Sequence, residues 1–385
     1  MKITPRVIVQ MHGNRNFREQ RGVALISILL VVVIATVLGV KMTTEQYFSI
    51  MRASNYFDQG KIRQYALGGE ELARQLLYKD FTEQPQKDVL AEAWASRELK
   101  FDFAEGEIEI LIEDLQGRFN LNSLISTGAQ STGAGGLNNP TGGQNSQQIG
   151  AQQSTGDVNQ NQQGIGAQGG AVASAQLAMT RFRTLLNQQG LDPVFADRIK
   201  DWIDNNQDTT QLGAEDFDYL GLERPYRTSD SPMVDISELR LVLDLDSATY
   251  ALLEPLVATL PTYVNLINVN TASSSVIQAI VGGGLTFEAA EALTLQRDEG
   301  EGFDSVQLFL QDNSLAGQGV SPDGLSVQSS FFRVSIRARI GDRFAYLASV
   351  IQRNPNDGSM RVIFRDASKK IYPVIALLES DNKAP

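Results

Sequence analysis

The sequence predicts an α+β protein: a long N-terminal helix packed on an antiparallel sheet, with a large all-α domain inserted. Three observations lead there. An uncharged apolar run at residues 23–40 opens into a helical pattern that continues as far as Phe81. Period-two alternation of apolar residues occurs near residue 110 and again after residue 330. Between them, residues 176–315 switch to helical periodicity. At 385 residues the chain has room for two or three domains with cores of their own.

The helix comes first. Val23–Val40 is 18 residues, about 27 Å as a helix and close to the thickness of a bilayer's hydrocarbon core. Residues 1–22 carry Lys2, Arg6, Arg15, Arg18 and Arg21 against Glu19, a net +4, which leaves −16 on the rest of the chain. Basic residues before the run predict a cytoplasmic N-terminus and an acidic body across the membrane, a single pass with residues 23–43 as its span. A removable secretion signal has a shorter apolar stretch ending in a small-x-small site; this run is longer, and no A-x-A follows it. A plain signal anchor accounts for charge and length but not for the order basic–Gly–apolar in "QRGVALIS". Further on, Tyr47, Ile50, Met51 and Ser54 share one helical face. Gly68-Gly69 is expected to be a weak point of the helix, and Pro85 lies beyond its end.

The sheet follows from two separated stretches, expected within residues 44–125 and 325–385. Ile108, Ile110 and Ile112 alternate with Glu107, Glu109 and Leu111. Phe332, Val334, Ile336, Ala338 and Ile340 oppose Arg333, Ser335, Arg337 and Arg339. Gly341-Asp342 suits a two-residue hairpin turn, and Asn356-Asp357-Gly358 turns the chain into "MRVIFR". These stretches make one sheet only if the segment between them is an insertion. Residues 126–175 are almost entirely Ser, Thr, Gly, Gln, Asn and Ala, with Asp157 the only charge, and predict a disordered loop. A secreted-substrate or adhesin tract is the alternative reading of that stretch. Residues 176–315 then hold amphipathic helices such as "PVFADRIKDWID" and "TFEAAEALTLQRD".

Composition excludes several chemistries. The chain has no cysteine, so disulfides, thiol catalysis and thiolate metal sites are absent. Its one histidine, His12, lies before the apolar run, so a chain without its leader has no imidazole for a triad or a zinc site. No phosphate loop or G-x-S-x-G occurs, and pairs such as Glu70/Glu71 or Asp216/Asp218 have a spacing that surface acids show by chance. The acidic body disfavours nucleic acid and suits calcium. In "DNNQDTTQLGAE", Asp204, Asn206 and Asp208 fall at positions one, three and five of a twelve-residue calcium loop. Thr210 offers a carbonyl at seven and Glu215 a carboxylate at twelve, while Asp216 and Asp218 can complete a rearranged shell. Thr209 and Gln211 depart from the pattern, and an acidic helix-end loop is the plainer alternative. The stretch "INVNTA…VGGGLTFEAAEALTLQR" resembles a helix-hairpin-helix, whose glycines present N–H groups to phosphate. Here only Arg297 opposes Glu288, Glu291, Asp298, Glu299 and Glu301, so the element reads as structural.

"RG|VALIS" resembles the cleavage site of type IV pilins and pseudopilins. That resemblance implies a prepilin peptidase cutting after Gly22 and methylating Val23, with residues 1–22 removed as leader and the apolar helix retained. Ser27 stands at the fifth mature position, where most pilins have a glutamate. Together with "YALGGEELA", "DLQGRFNLNSL", "DWID…GAED", "PYR", "DISELRLV" and "INVNTA", the chain resembles the minor pseudopilin K family of type II secretion over most of its length. The resemblance implies a pseudopilin core with an inserted calcium-binding helical domain, with Asp204, Asn206, Asp208, Glu215 and Asp216 as ligands. It also implies a tip complex with minor pseudopilins of the I and J types, contacts with the major pseudopilin and the inner-membrane secretion platform, and no covalent chemistry. A tip pilin binding DNA or a surface through the hairpin element is the competing reading, and a membrane-anchored periplasmic hydrolase the third.

Overall fold

The computed structural model describes the backbone of residues 20–97, 99–125 and 163–368, and the side chains of 24–97, 99–125 and 174–368. Residues 1–19 of the expected leader, most of the low-complexity stretch and the chain after Ser368 lie outside the described residues. In chain order the elements are α1 (Gln20–Glu83), β1 (Leu99–Phe103), β2 (Gly106–Asp114), β3 (Phe119–Asn120), α2 (Gln163–Gln188), α3 (Val194–Ile203) and α4 (Asp216–Leu220). There follow α5 (Ser247–Leu253), β4 (Val257–Ala258), β5 (Ile267–Asn268), α6 (Ser274–Val281), α7 (Phe287–Glu299) and α8 (Val306–Leu310). The chain closes with β6 (Leu325–Ser326), β7 (Phe331–Ile340), β8 (Arg343–Arg353) and β9 (Met360–Asp366).

The chain divides into two units, Met1–Arg63 and Gln64–Pro385. In the first, α1 contains an 18-residue window of mean hydropathy 2.6 with no residue buried. Its threonine hydroxyls are satisfied within the helix: Thr36 donates to the Val32 carbonyl (3.0 Å), Thr43 to Gly39 (2.8 Å) and Thr44 to Val40 (2.9 Å). Self-contained hydrogen bonding on an apolar helix is what hydrocarbon demands of a spanning segment.

In the second unit a five-stranded antiparallel sheet runs in the order β1-β2-β7-β8-β9. The neighbours β2 and β7 come from opposite ends of an insertion, as the two alternating stretches require. On one face Ile108, Ile110, Ile112, Val334, Ile336 and Ala338 are buried, together with Ala66, Ala73 and Leu77 of α1. Burying a side chain such as Leu77 is worth ~1.5–3 kcal/mol. The opposite face is charged in register: Glu107, Glu109 and Glu113 stand across from Arg339, Arg337 and Arg333. Arg333 meets Glu113 at 2.6 Å and Arg339 meets Glu107 at 3.3 Å, while Arg337 pairs with Glu109. A one-residue slip would destroy both the apolar face and these pairs. The β7–β8 turn is Gly341-Asp342 with Gly341 at φ 56°, the left-handed first position that a two-residue hairpin needs.

Gly68-Gly69 is not a weak point; α1 continues through it. A Cβ on Gly69 would stand 3.0 Å from both Ile108 Cγ2 and Ile336 Cγ2, so the glycine lets helix and sheet approach closely. Next to it, Glu70 is buried and accepts from Arg365 Nε (2.8 Å) and Nη2 (2.7 Å), and from Ser349. Burial works to raise the Glu70 carboxyl, but these hydrogen bonds and the arginine charge outweigh it and hold it below the usual range.

At the C-terminal end of α1 a second polar knot closes the unit. Arg353 pairs with Asp88 and lies 3.4 Å from Asp80, donates to the Ser329 carbonyl at 2.8 Å, and faces the Phe332 ring at 4.8 Å. Glu92 accepts from Trp94 Nε1 at 2.7 Å and Val89 N at 3.0 Å. Burial, then the charges of Glu92 and Asp88, push the Asp80 carboxyl up to about 8.

Two expectations about the insertion are corrected. Helix α2 begins at Gln163, inside the stretch read as loop to residue 175, because its Ala and Gln residues sustain a helix. The insert is neither all-α nor confined to residues 176–315. Parallel pairs β3–β4 and β5–β6 run through it, and Phe119, Leu121 and Leu124 share its core with Phe182, Ile199 and Leu325. Sequence alone assigned residues 115–125 to the sheet because they directly follow a strand. In fact the chain leaves the sheet at Asp114. That buried carboxylate accepts from Thr271 Oγ1 (2.6 Å), Asn268 Nδ2 (3.1 Å) and Gln116 N (2.8 Å), and fastens the insert to the sheet's end.

Candidate metal centre

Helix α3 and the loop after it build an acidic pocket. Phe195, Ala196, Ile199, Trp202 and Ile203 are buried along one face of α3, and the aromatic rings continue into Tyr219, 5.4 Å from Trp202. That packing carries Asp201 into the interior at 0% exposure and sets Asp204 at the helix's C-cap, also buried. Asp204 Oδ1 accepts from Asn206 N (3.2 Å) and Nδ2 (2.8 Å), and Asn206 Oδ1 accepts from Asp208 N (2.7 Å). Asp201 holds the return of the loop: Thr210 N donates to it at 2.9 Å, and the Thr210 hydroxyl also bonds it. Gly213 lies against this carboxylate: a Cβ there would fall 1.7 Å from Asp201 Oδ2 and force Asp201 to shift.

Glu215 is the centre of the arrangement. Its side chain is 3% exposed, and neither carboxylate oxygen has a hydrogen-bond partner. Burial first, and then the charges of Asp201, Asp204, Asp230 and Asp216, push its carboxyl up to about 7. A buried carboxylate with two free oxygens among four other acids leaves a strong local demand for positive charge. Lys200, 3.9 Å from Asp204, and Arg227, 2.5 Å from Asp216, answer it only at the periphery. The donor set is hard oxygen, without sulfur or imidazole, and it fits a divalent cation of the calcium type.

Of the residues singled out from sequence, Asp204 and Asp216 lie near enough to Glu215 for their charges to raise its carboxyl, but among the described residues no three of these acids bring an oxygen each within 4.8 Å of one another. Asn206 and Asp208 form the loop's turn, with Asp208 exposed. The Thr210 carbonyl accepts from Gly213 N at 2.8 Å, and Asp216 accepts from Thr228 N and Oγ1, both at 3.0 Å. Sequence reasoning missed Asp201 and Asp230. Asp201 sits three residues before Asp204, a helical spacing that places both on one side, and this was readable. Asp230 arrives from a distant loop at φ 47°, held by Thr228 Oγ1 (2.7 Å) and Gln207 Nε2 (3.2 Å), and nothing local announces it.

Two other groups invite comparison. Asp80, Asp88 and Glu92 bring one oxygen each within 4.8 Å of one another, but Arg353 already supplies the cation there. The glycine hairpin joins α6 to α7, with Gly282 at φ 89°. Its Arg297 is buried and donates to the carbonyls of Val269 (2.9 Å) and Ala272 (2.6 Å). Asn270 of "INVNTA" bonds the Phe303 backbone through both side-chain atoms.

An apolar N-terminal helix long enough to cross a membrane, a helix-on-sheet body and a helical insert between adjacent strands define a pilin-like subunit. Family profiles described as type II secretion system (T2SS), protein K, match residues 117–262 and 267–328. The chain belongs to that family, the K-type minor pseudopilins of type II secretion. It is 32% identical to the type II secretion system protein K of Pseudomonas aeruginosa over 371 residues, which cover 93% of this chain and 96% of that protein. The Klebsiella pneumoniae protein of the same name is 28% identical over 344 residues, covering 87% and 93%. Among solved structures, a chain of the GspK-GspI-GspJ complex from enterotoxigenic Escherichia coli superposes with a TM-score of 0.62 at 23% identity, covering 82% of this chain and 99% of that one.

Proposed function

We propose that this minor pseudopilin caps the pseudopilus tip with partners of the I and J types and initiates assembly of the filament that exports folded proteins. The observation that carries the reading is the insertion between β2 and β7, which adds a large body to a subunit whose long helix would otherwise stack in a thin filament. A subunit so enlarged is accommodated at an end. Ser27 supports this reading, because a first subunit has no predecessor whose terminal ammonium a buried glutamate would meet. The solved relative is itself a complex of K with I and J. The major pseudopilin and the inner-membrane secretion platform are the remaining contacts of such a subunit, and its work is structural rather than enzymatic. Antibody against this chain, with gold on sheared pseudopili, is expected to mark one end of each filament. Gold spaced along the filament's length would refute the tip.

The same reading has the prepilin peptidase cut after Gly22 and methylate Val23, leaving a single inner-membrane pass with the head in the periplasm. Intact mass of the chain from native membranes should then correspond to N-methyl-Val23–Pro385. A mass beginning at Met1, or beyond Val40, removes the chain from filament assembly.

Calcium completes the proposal. Glu215, with Asp201, Asp204 and Asp230 around it, would hold the ion, and Asn206, Asp208, Thr210 and Asp216 shape or extend the shell. Its role is to fix the end of α3 and the following loop by neutralising carboxylates that otherwise repel one another.

A further inference from the structure

Four arginines are buried among the described residues: Arg181, Arg297, Arg337 and Arg353. Arg297 pairs with Asp298, Arg337 with Glu109 and Arg353 with Asp88. Arg181, on α2 and 5% exposed, meets carbonyls instead: Nη1 donates to Asp323 O at 2.8 Å and Nη2 to Ser321 O at 3.1 Å. Its Nε is buried without an acceptor among the described residues. The Asp323 carboxylate is turned to the Ser321 hydroxyl, 3.0 Å away, and offsets the burial of the guanidinium only through its charge. Burial therefore pulls Arg181 down to about 10. A buried cation without a counter-ion is costly, and it leaves a local demand for negative charge.

Arg181 lines a cavity of about 350 Å³ bounded by α2, β3, the start of β5 and the turn before β6. Phe119, Leu177, Leu266 and Ile267 give it apolar walls, and Asn265 is exposed on its lining. Gly324, at φ 72°, keeps the arginine's side of it open: a Cβ there would fall 2.9 Å from Nη1. An apolar cavity with one cation matches a ligand that carries one negative charge on a hydrocarbon body. A carboxylate suits the planar guanidinium fork. The volume lies at the lower end of the ~300–1,000 Å³ usual for ligand sites and limits that body to a few carbons. We propose that this cavity binds a small aliphatic monocarboxylate, with its carboxylate on Arg181 and its chain against Phe119, Leu177 and Ile267. The site is independent of the tip reading and of calcium.

The probe is trifluorobutyrate, followed by fluorine NMR with the full-length chain in detergent at neutral pH. It is expected to bind saturably with a Kd on the order of 1 mM, and unlabelled butyrate to displace it. Trifluorobutyramide, the same shape without the charge, should bind about tenfold more weakly, because hydrogen bonds to a charged acceptor are the stronger ones. Arg181→Gln should weaken the acid about tenfold and leave the amide unchanged. An arginine that merely braced α2 against the turn would affect both probes alike. Should that variant not fold, Asn265→Trp, which narrows the mouth from an exposed position, is expected to weaken both probes at an unchanged melting temperature. No saturation up to about 20 mM, equal affinity for acid and amide, or affinities that survive both substitutions overturn the proposal. So does displacement by N-acetyl-Ala-Leu at a lower concentration than by butyrate, which would make the end of a peptide the occupant.

Discussion

If the proposed site binds calcium with a Kd of ~10 μM, calcium at 1 mM is expected to raise the melting temperature of the full-length chain in detergent, and the Glu215→Gln variant is expected not to respond. A ligand at that excess over its dissociation constant adds ~2.7 kcal/mol, or about 5–10 °C for a body of this size. Glu215 is the right residue to change because both its oxygens are buried without a hydrogen-bond donor, which makes it the carboxylate the proposed ion would meet. The substitution has a second signature. With calcium chelated, Glu215→Gln should be the more stable protein, since a neutral amide removes repulsion from Asp201, Asp204, Asp230 and Asp216. The two stability curves therefore cross as calcium is added. Equal shifts in both proteins would place the ion elsewhere, and magnesium acting as well as calcium would contradict the calcium-type shell.

Arg353→Met should cost about 3–5 kcal/mol, a fall in melting temperature on the order of 10 °C. The guanidinium is buried between Asp80 and Asp88 and against the Phe332 ring, so its removal leaves the buried Asp88 without its cation. The pH dependence has a definite sign. Asp80 titrates at about 8 in the fold against a usual value of 3.8, so between those values the folded chain holds a proton that the unfolded chain has lost. Its contribution is thus fully present below about pH 4 and is lost as pH rises through about 8. Asp80→Asn should flatten that slope. Thermal melts from pH 5 to 9 decide it: a slope unchanged by Asp80→Asn, or a loss under ~1 kcal/mol for Arg353→Met, would mean that the cluster is solvated.

Much of this architecture is written in local patterns. The alternation of Ile108, Ile110 and Ile112, the apolar and Arg alternation of β7, and the Gly341-Asp342 turn set strands and faces, because the period of a strand is a property of neighbouring residues; the Glu–Arg register between β2 and β7 came only with the fold. Apolar length and flanking charge likewise identify the N-terminal helix without any tertiary contact. The motifs behind the family resemblance were legible too, but their work was not. In "DLQGRFNLNSL" and "INVNTA" the asparagines are internal ties: Asn120 donates to Val264 O at 2.7 Å, Asn122 to Met233 O at 2.9 Å, and Asn268 to Asp114.

The sequence by itself determined the apolar N-terminal helix, the alternating strands β2 and β7 and part of the acidic centre, since each depends on residues within a few turns of one another. Only the tertiary structure decided that Gly69 is a close approach rather than a break, that residues 115–125 belong to the insert, and that the charges of Asp201 and Asp230 act with Asp204 on Glu215. It alone set Arg353 between Asp80 and Asp88. These features require segments far apart in the chain to meet. Their energies come from burial and from charges brought together in a low dielectric, terms that have no value until the fold exists.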